Sequence, residues 1–345
     1  MVVITPGDKA LQPIIQFRKT FFWVSGAGIL FALLLIRSAT GKTTRAIRRL
    51  SEAANRLAHG HFGEELRITS RDEVGELTQN FNTMSRQLQE RLRLQHAMNL
   101  AREVQQNLLP HSSFSSEHMD VYGVSLYCDE TGGDYFDLLP HQEQKETVNI
   151  IVGDVVGHGI GAALLMATIR SLMRCRLSLS GTPETVINDV NRLLCRDTAE
   201  SGNFITLFHL LVNRQKKTLD WVRCGHDPTI IYHPGTGHFS ELKGRGLALG
   251  IDPDFQYEEN SIPLKQAPQI ILIGSDGVWE AENELGESFG KERVKTLLAN
   301  HSHLNSKEIT RKITDEIKIF RQSVPQQDDI TLVIAKIEGE IHDTA

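Results

Sequence analysis

The hydrophobic pattern of the chain changes rhythm three times. It opens with one long apolar run, TFFWVSGAGILFALLLI at residues 20–36, which carries no charge and lies between Arg18/Lys19 and Arg37. That length is at the lower end of the roughly 17–25 residues that cross a bilayer as a helix, and the flanking cations can snorkel to its surfaces. A membrane helix is predicted over 20–37. A secretory signal is disfavoured because the run continues into basic residues rather than a small-residue cleavage site. Arg37, Lys42, Arg45, Arg48 and Arg49 follow the run, against Lys9, Arg18 and Lys19 before it. The positive-inside rule then predicts a single-pass protein of the cell (inner) membrane with its C-terminal side in the cytoplasm.

The second rhythm is helical. Ile47, Leu50, Ala54 and Leu57 repeat at 3-4-3 spacing, and Val74, Leu77, Phe81, Met84 and Leu88 continue as a coiled-coil seam. Between them lies HGHFGEELRITSRDEVG, ending in Asp72-Glu73-Val74-Gly75. Two helices, a glycine-bearing connector and this DExG element resemble a HAMP domain over 38–91. Thr43 and Thr44 stand where that family often has proline. The resemblance implies a homodimer of parallel helices. From Leu88 the seam steps four residues to Leu92, a stutter that shifts coiled-coil phase. Residues 92–109 read as a transmission helix ended by Pro110, within a linker over 92–118. Residues 1–19 resemble the last strand and exit segment of a Cache-type extracytoplasmic sensor, here a remnant, and 339–345 read as a tail.

The third pattern alternates strands with helices. Residues 121–127, 148–154, 204–212, 218–224, 269–276 and 330–337 are rich in β-branched and aromatic residues. Residues 160–179, 183–199, 291–301 and 306–322 have helical spacing. A mixed α/β (α+β) domain over 119–338 is predicted.

Composition narrows the function. A chain of 345 residues with 40% hydrophobic and 23% charged residues is globular and larger than one typical domain. A net charge of −6 offers no basic face for nucleic acid, and no such partner is expected. Cys128, Cys175, Cys195 and Cys224 form no CxxC pair, so reduced structural thiols are expected.

Acidic residues recur where strands end: Asp134 in TGGDYFDLLP, Asp154 after VNIIVG, Asp276 after IILIGS, and Asp328 with Asp329 before ITLVIAKI. Carboxylates on loops at strand ends can converge on one sheet edge, and hard oxygen donors suit Mg²⁺ or Mn²⁺. Taken singly, each aspartate reads as a turn or cap residue sooner than as a ligand. In order, the segments read GGDYFD, GDVVGHGIGAA, GSDGVWEA and QQDDITLV, with AREVQQNLLP, RCGHDPTIIYHPGTG and GLALGI between or before them. This series resembles the PPM-type metal-dependent serine/threonine phosphatases of the SpoIIE- and RsbU-like branch, from residue 92 to about 338.

That resemblance implies a phosphatase β-sandwich flanked by helices and two divalent cations, Mn²⁺ or Mg²⁺. Asp154 would bridge the cations, with the backbone carbonyl of Val155 as a further ligand. Asp276 and Asp328 would complete one cation's shell and Asp134 would hold the other. Asp329 stands where eukaryotic relatives carry asparagine, and Asp137 reads as structural. Asp154, Asp276 and Asp328 are the expected catalytic carboxylates; no nucleophilic side chain is required, because paired metals activate water. His158 and His226 are candidate proton donors, although histidines in such settings more often cap or pack. The resemblance further implies a phosphorylated STAS-type anti-sigma-factor antagonist as substrate. Two other functions fit parts of the chain. GGDYF looks like the GGDEF run of nucleotide cyclases, but the downstream order differs; a non-catalytic sensor adaptor would need a broken carboxylate set, and none is missing.

Overall fold

The computed structural model describes residues 7–110, 113–141 and 146–339. The remaining stretches, which include residues 1–6 of the expected sensor remnant and 340–345 of the expected tail, lie outside the described residues. The chain divides into two compact units, Met1–His96 and Ala97–Ala345.

In the first unit, α1 (Gly7–Ala58) runs unbroken for 52 residues, joining the apolar run to the first helix of the HAMP pattern. Its most apolar 18-residue window has a mean hydropathy of 1.8 and buries nothing, so α1 is long and apolar enough to cross a membrane. From Gly7 onward the residues read as a strand and exit segment are already helical. Extending an existing helix gains a hydrogen bond per residue without a new nucleus, which favours this continuation. α2 (Glu73–Leu108) starts where the DExG element requires. Asp72 Oδ1 accepts the amides of Val74 and Gly75 at 3.0 and 3.2 Å, an N-cap that satisfies donors with no helical partner. A Cβ on Gly75 would lie 2.1 Å from the Ser70 carbonyl oxygen, so only glycine fits the third helical position. The helix ends two residues before Pro110, and it passes through the stutter at Leu92 without a break.

The second unit is a sandwich of two antiparallel sheets with helices on both outer faces. Its elements are β1 (Ser113–Ser115), β2 (Met119–Leu126), β3 (Tyr135–Pro140), β4 (Thr147–Val155), α3 (Ile160–Leu177), α4 (Pro183–Thr198), β5 (Ile205–Asn213), β6 (Thr218–Cys224), β7 (Thr229–His233), β8 (His238–Leu242), β9 (Asn260–Pro263), β10 (Gln269–Gly274), α5 (Gly277–Glu280), α6 (Lys291–Asn300), α7 (Ser306–Arg321) and β11 (Ile330–Ile337). One sheet has the order β1-β2-β11-β10-β7-β8 and the other β3-β4-β5-β6-β9.

Three apolar layers hold it together. Val121, Ile271 and Val333 of the first sheet meet Phe136, Ile150, Phe208 and Trp221 of the second. The outer face of the second sheet, with Ile151 and Leu207, packs on Met166 and Ile169 of α3 and Ile187 and Leu194 of α4. The outer face of the first, with Ile270 and Ile334, packs on Val294 of α6 and Ile309 and Ile313 of α7. Central strands are therefore buried on both faces, which is why β4 and β10 read as continuous apolar runs rather than alternating ones.

Candidate active site

Four loops meet where the two sheets present the same end. Asp134 immediately precedes β3, Asp154 is the penultimate residue of β4, Asp276 follows β10, and Asp328 and Asp329 lead into β11. Asp134 and Asp329 are 195 positions apart in sequence, yet the Asp134 amide donates to the Asp329 carboxylate.

Asp134 is 1% exposed, and Ser275 Oγ donates to its Oδ2 at 2.8 Å. Ser275 is itself fixed by β11: its amide donates to the Thr331 carbonyl and its Oγ accepts the Thr331 amide at 2.9 Å. Asp329 is 3% exposed and spends its carboxylate on backbone: Oδ1 accepts the Cys128 amide at 2.8 Å, and Oδ2 accepts the amides of Gly133 at 2.8 Å and Asp134 at 3.4 Å. The glycine pair of TGGD is needed for these approaches rather than for a ligand. A Cβ on Gly132 would sit 1.9 Å from Tyr127 Cδ1 and 2.2 Å from Asp329 Oδ2, and one on Gly133 2.9 Å from the Val155 carbonyl oxygen. Gly157 and Gly159, by contrast, have open space around them and φ of +84° and +80°, so the loop between Asp154 and α3 requires their conformational freedom.

The electrostatics show how close the carboxylates lie. Burial, then the charge of Asp154, holds the Asp134 carboxyl well above the usual carboxylate range. Burial, then Asp276, Asp328 and Asp329, pushes Asp154 up to about 7. Burial and then Asp328 raise Asp276 as well. Bringing these charges together is unfavourable without a counter-charge, and the donors are all hard oxygens, so the set fits divalent cations. The tightest group of potential ligands among the described residues lies elsewhere: Glu117, His118 and Glu146, whose ligand atoms fall within 4.8 Å of one another, at the other end of β2 and β4. The Arg214 guanidinium already holds Glu146 at 3.3 Å there.

The shifts set a pH dependence. A carboxyl whose folded value is raised from 3.8 to about 7 favours the folded state while protonated, and that contribution is lost as pH rises through this window. In EDTA, the melting temperature is expected to fall between about pH 4 and pH 7 and to level off by about pH 8. Millimolar Mn²⁺ should restore it, with the larger gain at pH 8, because ligation requires the deprotonated carboxylates. A Mn²⁺ gain independent of pH, or one retained in Asp154→Asn, would contradict the assignment.

The histidines differ in kind. His226 is 3% exposed, burial pushes its ring down to about 4, and its Nδ1 bonds Thr206 Oγ1 at 2.9 Å, across β4 and β5 from Asp154. It supports the strand opposite Asp154 as a neutral ring. His158 has an exposed side chain, and its Nδ1 lies 2.6 Å from Asp129 Oδ2, so that nitrogen carries the proton. Asp137 is fully buried in a bidentate pair with Arg174, at 2.6 Å to Nε and 2.8 Å to Nη2, and takes the Tyr135 hydroxyl at 2.8 Å. The four cysteines are free thiols.

Two residues of this network carry no strong sequence signal. Ser275 is visible only as the serine of GSDG. Gln105 near the end of α2, 4% exposed, grips the TGGD turn from behind: its Nε2 donates to the Gly132 carbonyl, and its Oε1 accepts the Gly132 amide at 3.2 Å.

A two-sheet sandwich with clustered aspartates at the loop end is the architecture of a metal-dependent phosphatase of the PPM type. The SpoIIE family (Stage II sporulation protein E) matches residues 144–338, and the HAMP domain matches 39–90. The chain is 30% identical over 237 residues to phosphoserine phosphatase RsbU of Bacillus subtilis, covering 69% of each chain. It is 28% identical over 333 residues to protein IcfG of Synechocystis, covering 84% of this chain and 51% of that one. Among solved structures, the SiaA-PP2C domain of Pseudomonas aeruginosa superposes with a TM-score of 0.62 at 21% identity, covering 73% of this chain and 99% of that one. The PP2C domain of SpoIIE from Bacillus subtilis, with a fragment of its regulatory domain, gives 0.54 at 20% identity, covering 65% and 64%. The chain belongs to the SpoIIE/RsbU family of metal-dependent serine/threonine phosphatases, and a HAMP domain precedes its phosphatase domain.

Proposed function

We propose that this protein is a membrane-anchored, HAMP-regulated phosphatase that dephosphorylates a serine or threonine of a STAS-type anti-sigma-factor antagonist in a partner-switching pathway. The observation that carries the reading is the convergence of Asp134, Asp154, Asp276 and Asp328 at one end of the sandwich. Two divalent cations, Mn²⁺ or Mg²⁺, held by these side chains and the Val155 carbonyl, would supply Lewis acidity and activated water. Asp329, expected among the ligands, instead serves the site through backbone: its two oxygens fix the turn that presents Asp134. Ser275 sets the rotation of the Asp134 carboxylate. His158, held by Asp129 through Nδ1, would give the leaving serine or threonine oxygen a proton from Nε2 of its doubly protonated ring.

Anchoring follows from α1, and the cytoplasmic placement of the phosphatase from the excess of Arg and Lys after its apolar run. A homodimer is supported by the seam of α2: Leu77, Met84 and Leu88 are 51%, 52% and 39% exposed in a single chain, which a parallel second copy would cover. The signal would reach the site along α2, because the helix capped by Asp72 carries, three residues before its end, the Gln105 that grips Gly132. A shift of α2 would loosen or tighten the turn that carries Asp134.

Gln105→Ala is accordingly expected to raise the Mn²⁺ concentration needed for half-maximal activity roughly 10- to 100-fold, as loss of a ligand's supporting partner does. Excess Mn²⁺ should recover part of the rate. An unchanged Mn²⁺ dependence would separate α2 from the site. The substrate class is tested by phosphate release from a phosphorylated STAS protein against an unrelated phosphoprotein, using the full chain in vesicles. Equal rates on both would remove the STAS assignment while leaving the phosphatase intact.

A further inference from the structure

A cavity of about 360 Å³ opens beside Asp328. Its walls include Gly277 and Glu280 of α5, Glu282 and Ser288 of the loop that follows, Arg321 at the end of α7, and Gln326. Arg321 is held in place: Nη1 donates to Gln326 Oε1 at 3.3 Å and Nη2 to the Val324 carbonyl at 3.0 Å. Gln326 in turn donates to the carbonyls of Leu126 and Asp328, so the loop carrying Asp328 is pinned around the guanidinium. The Nε–H of Arg321 is out of reach of solvent and has no acceptor, and each terminal nitrogen makes one bond here and keeps a second N–H. No carboxylate among the described residues pairs with it, and burial alone shifts its pKa, downward. Arg321 is half-buried and has no counter-charge among the described residues, so a group that accepts from it would be bound favourably. Glu280 and Glu282, exposed residues that also line the cavity, likewise form no ion pair among the described residues.

We propose that this cavity receives the stretch of the protein substrate next to the phosphoresidue, with Arg321 donating to a backbone carbonyl oxygen of that stretch and Glu280 and Glu282 selecting a basic side chain within it. The inference rests on the assignment of Asp328 to the metal site, which puts the cavity at the edge of the reaction centre. The acidic wall argues against an acidic neighbour, because like charges brought together in a cleft repel one another. A carbonyl suits Arg321 better than a second phosphate would, since Glu280 and Glu282 share the cavity. Selection then comes from one attractive contact and one repulsive wall, which together discriminate better than either does alone.

The test uses the full chain with Mn²⁺ and two phosphoserine peptides that differ only in carrying arginine or glutamate beside the phosphoserine, with p-nitrophenyl phosphate as a substrate lacking any flanking chain. The wild type is expected to favour the arginine peptide about fivefold or more in kcat/KM. Glu282→Lys should abolish or invert that ratio. Arg321→Met should raise KM on both peptides about tenfold, and Arg321→Lys should rescue it only in part, because lysine lacks the planar fork. The melting temperature in Mn²⁺ reports whether each variant keeps its fold and metals. Equal use of the two peptides by the wild type, or an unchanged peptide KM in a folded Arg321→Met, overturns the inference. If p-nitrophenyl phosphate is hydrolysed in either case, the phosphatase reading itself stands; if the wild type hydrolyses nothing, both fall.

Discussion

Asp154→Asn is expected to lower Mn²⁺-dependent phosphate release by about a thousandfold, with the protein still folded. Asp154 is the carboxylate on which the charges of Asp276, Asp328 and Asp329 all act, so it stands at the centre of the cluster. It also lies in register with Thr206 in the five-stranded sheet, so its backbone is fixed independently of its side chain. Asparagine keeps the shape and removes the charge that draws two cations to one point. Metal stabilisation of a developing charge contributes several kcal/mol, and about 4 kcal/mol corresponds to a factor of roughly 10³ in rate. The variant should be more stable than the wild type in EDTA at pH 8, because a repulsive charge is gone, and less stable than the wild type in millimolar Mn²⁺. That crossing separates loss of metal from loss of fold. A variant that keeps more than a tenth of the rate at saturating Mn²⁺ would place the cations elsewhere.

The second large effect is on stability. Arg174→Met leaves the Asp137 carboxylate, fully buried beneath α3, with the Tyr135 hydroxyl as its remaining side-chain donor. Removing one partner of a fully buried ion pair costs about 3–5 kcal/mol, and because the Arg174 side chain is 36% exposed the cost here falls at the lower end of that range. For a unit of this size that is a fall in melting temperature of roughly 10 °C. The double variant Asp137→Asn/Arg174→Met should recover much of the loss, since no charge is then left unpaired. Calorimetry or scanning fluorimetry on the two variants decides the matter. An unaltered melting temperature in Arg174→Met would mean that solvent reaches Asp137. The pair also joins α3 to the strand that begins just after Asp134, so the metal affinity of the single variant should fall with its stability.

Much of this was legible in the chain, and the exceptions have physical causes. The long strands and helices announced themselves because β-branched runs and 3.6-residue spacing are local signals; β11 and β6 fall where the pattern predicts. β1 and β9 are three and four residues long, and β3 hides behind the turn-like glycines of TGGD, so none of the three is visible as a strand. Asp72 and Gly75 could be read from the DExG element, because a cap and a close approach are decided within five residues. The partners that define the site are not local. Ser275 meets Asp134 across 141 residues, Asp329 meets Gly133 across 196, and Gln105 meets Gly132 across 27. No spacing rule reports such pairs. This is also why QQDD gives no sign that the Asp329 carboxylate accepts three backbone amides from the segment 128–134.

The central claim is that the converging aspartates form a metal-dependent phosphatase centre. Its most direct test is phosphate release from a phosphoserine peptide by the full chain, with and without Mn²⁺, beside Asp154→Ala and with GTP as a control substrate. The account predicts release that requires Mn²⁺, disappears in Asp154→Ala, and leaves GTP intact. Metal binding without release from peptide or phosphorylated STAS protein would contradict it in favour of a binding adaptor, and a cyclic product from GTP would contradict it in favour of a cyclase.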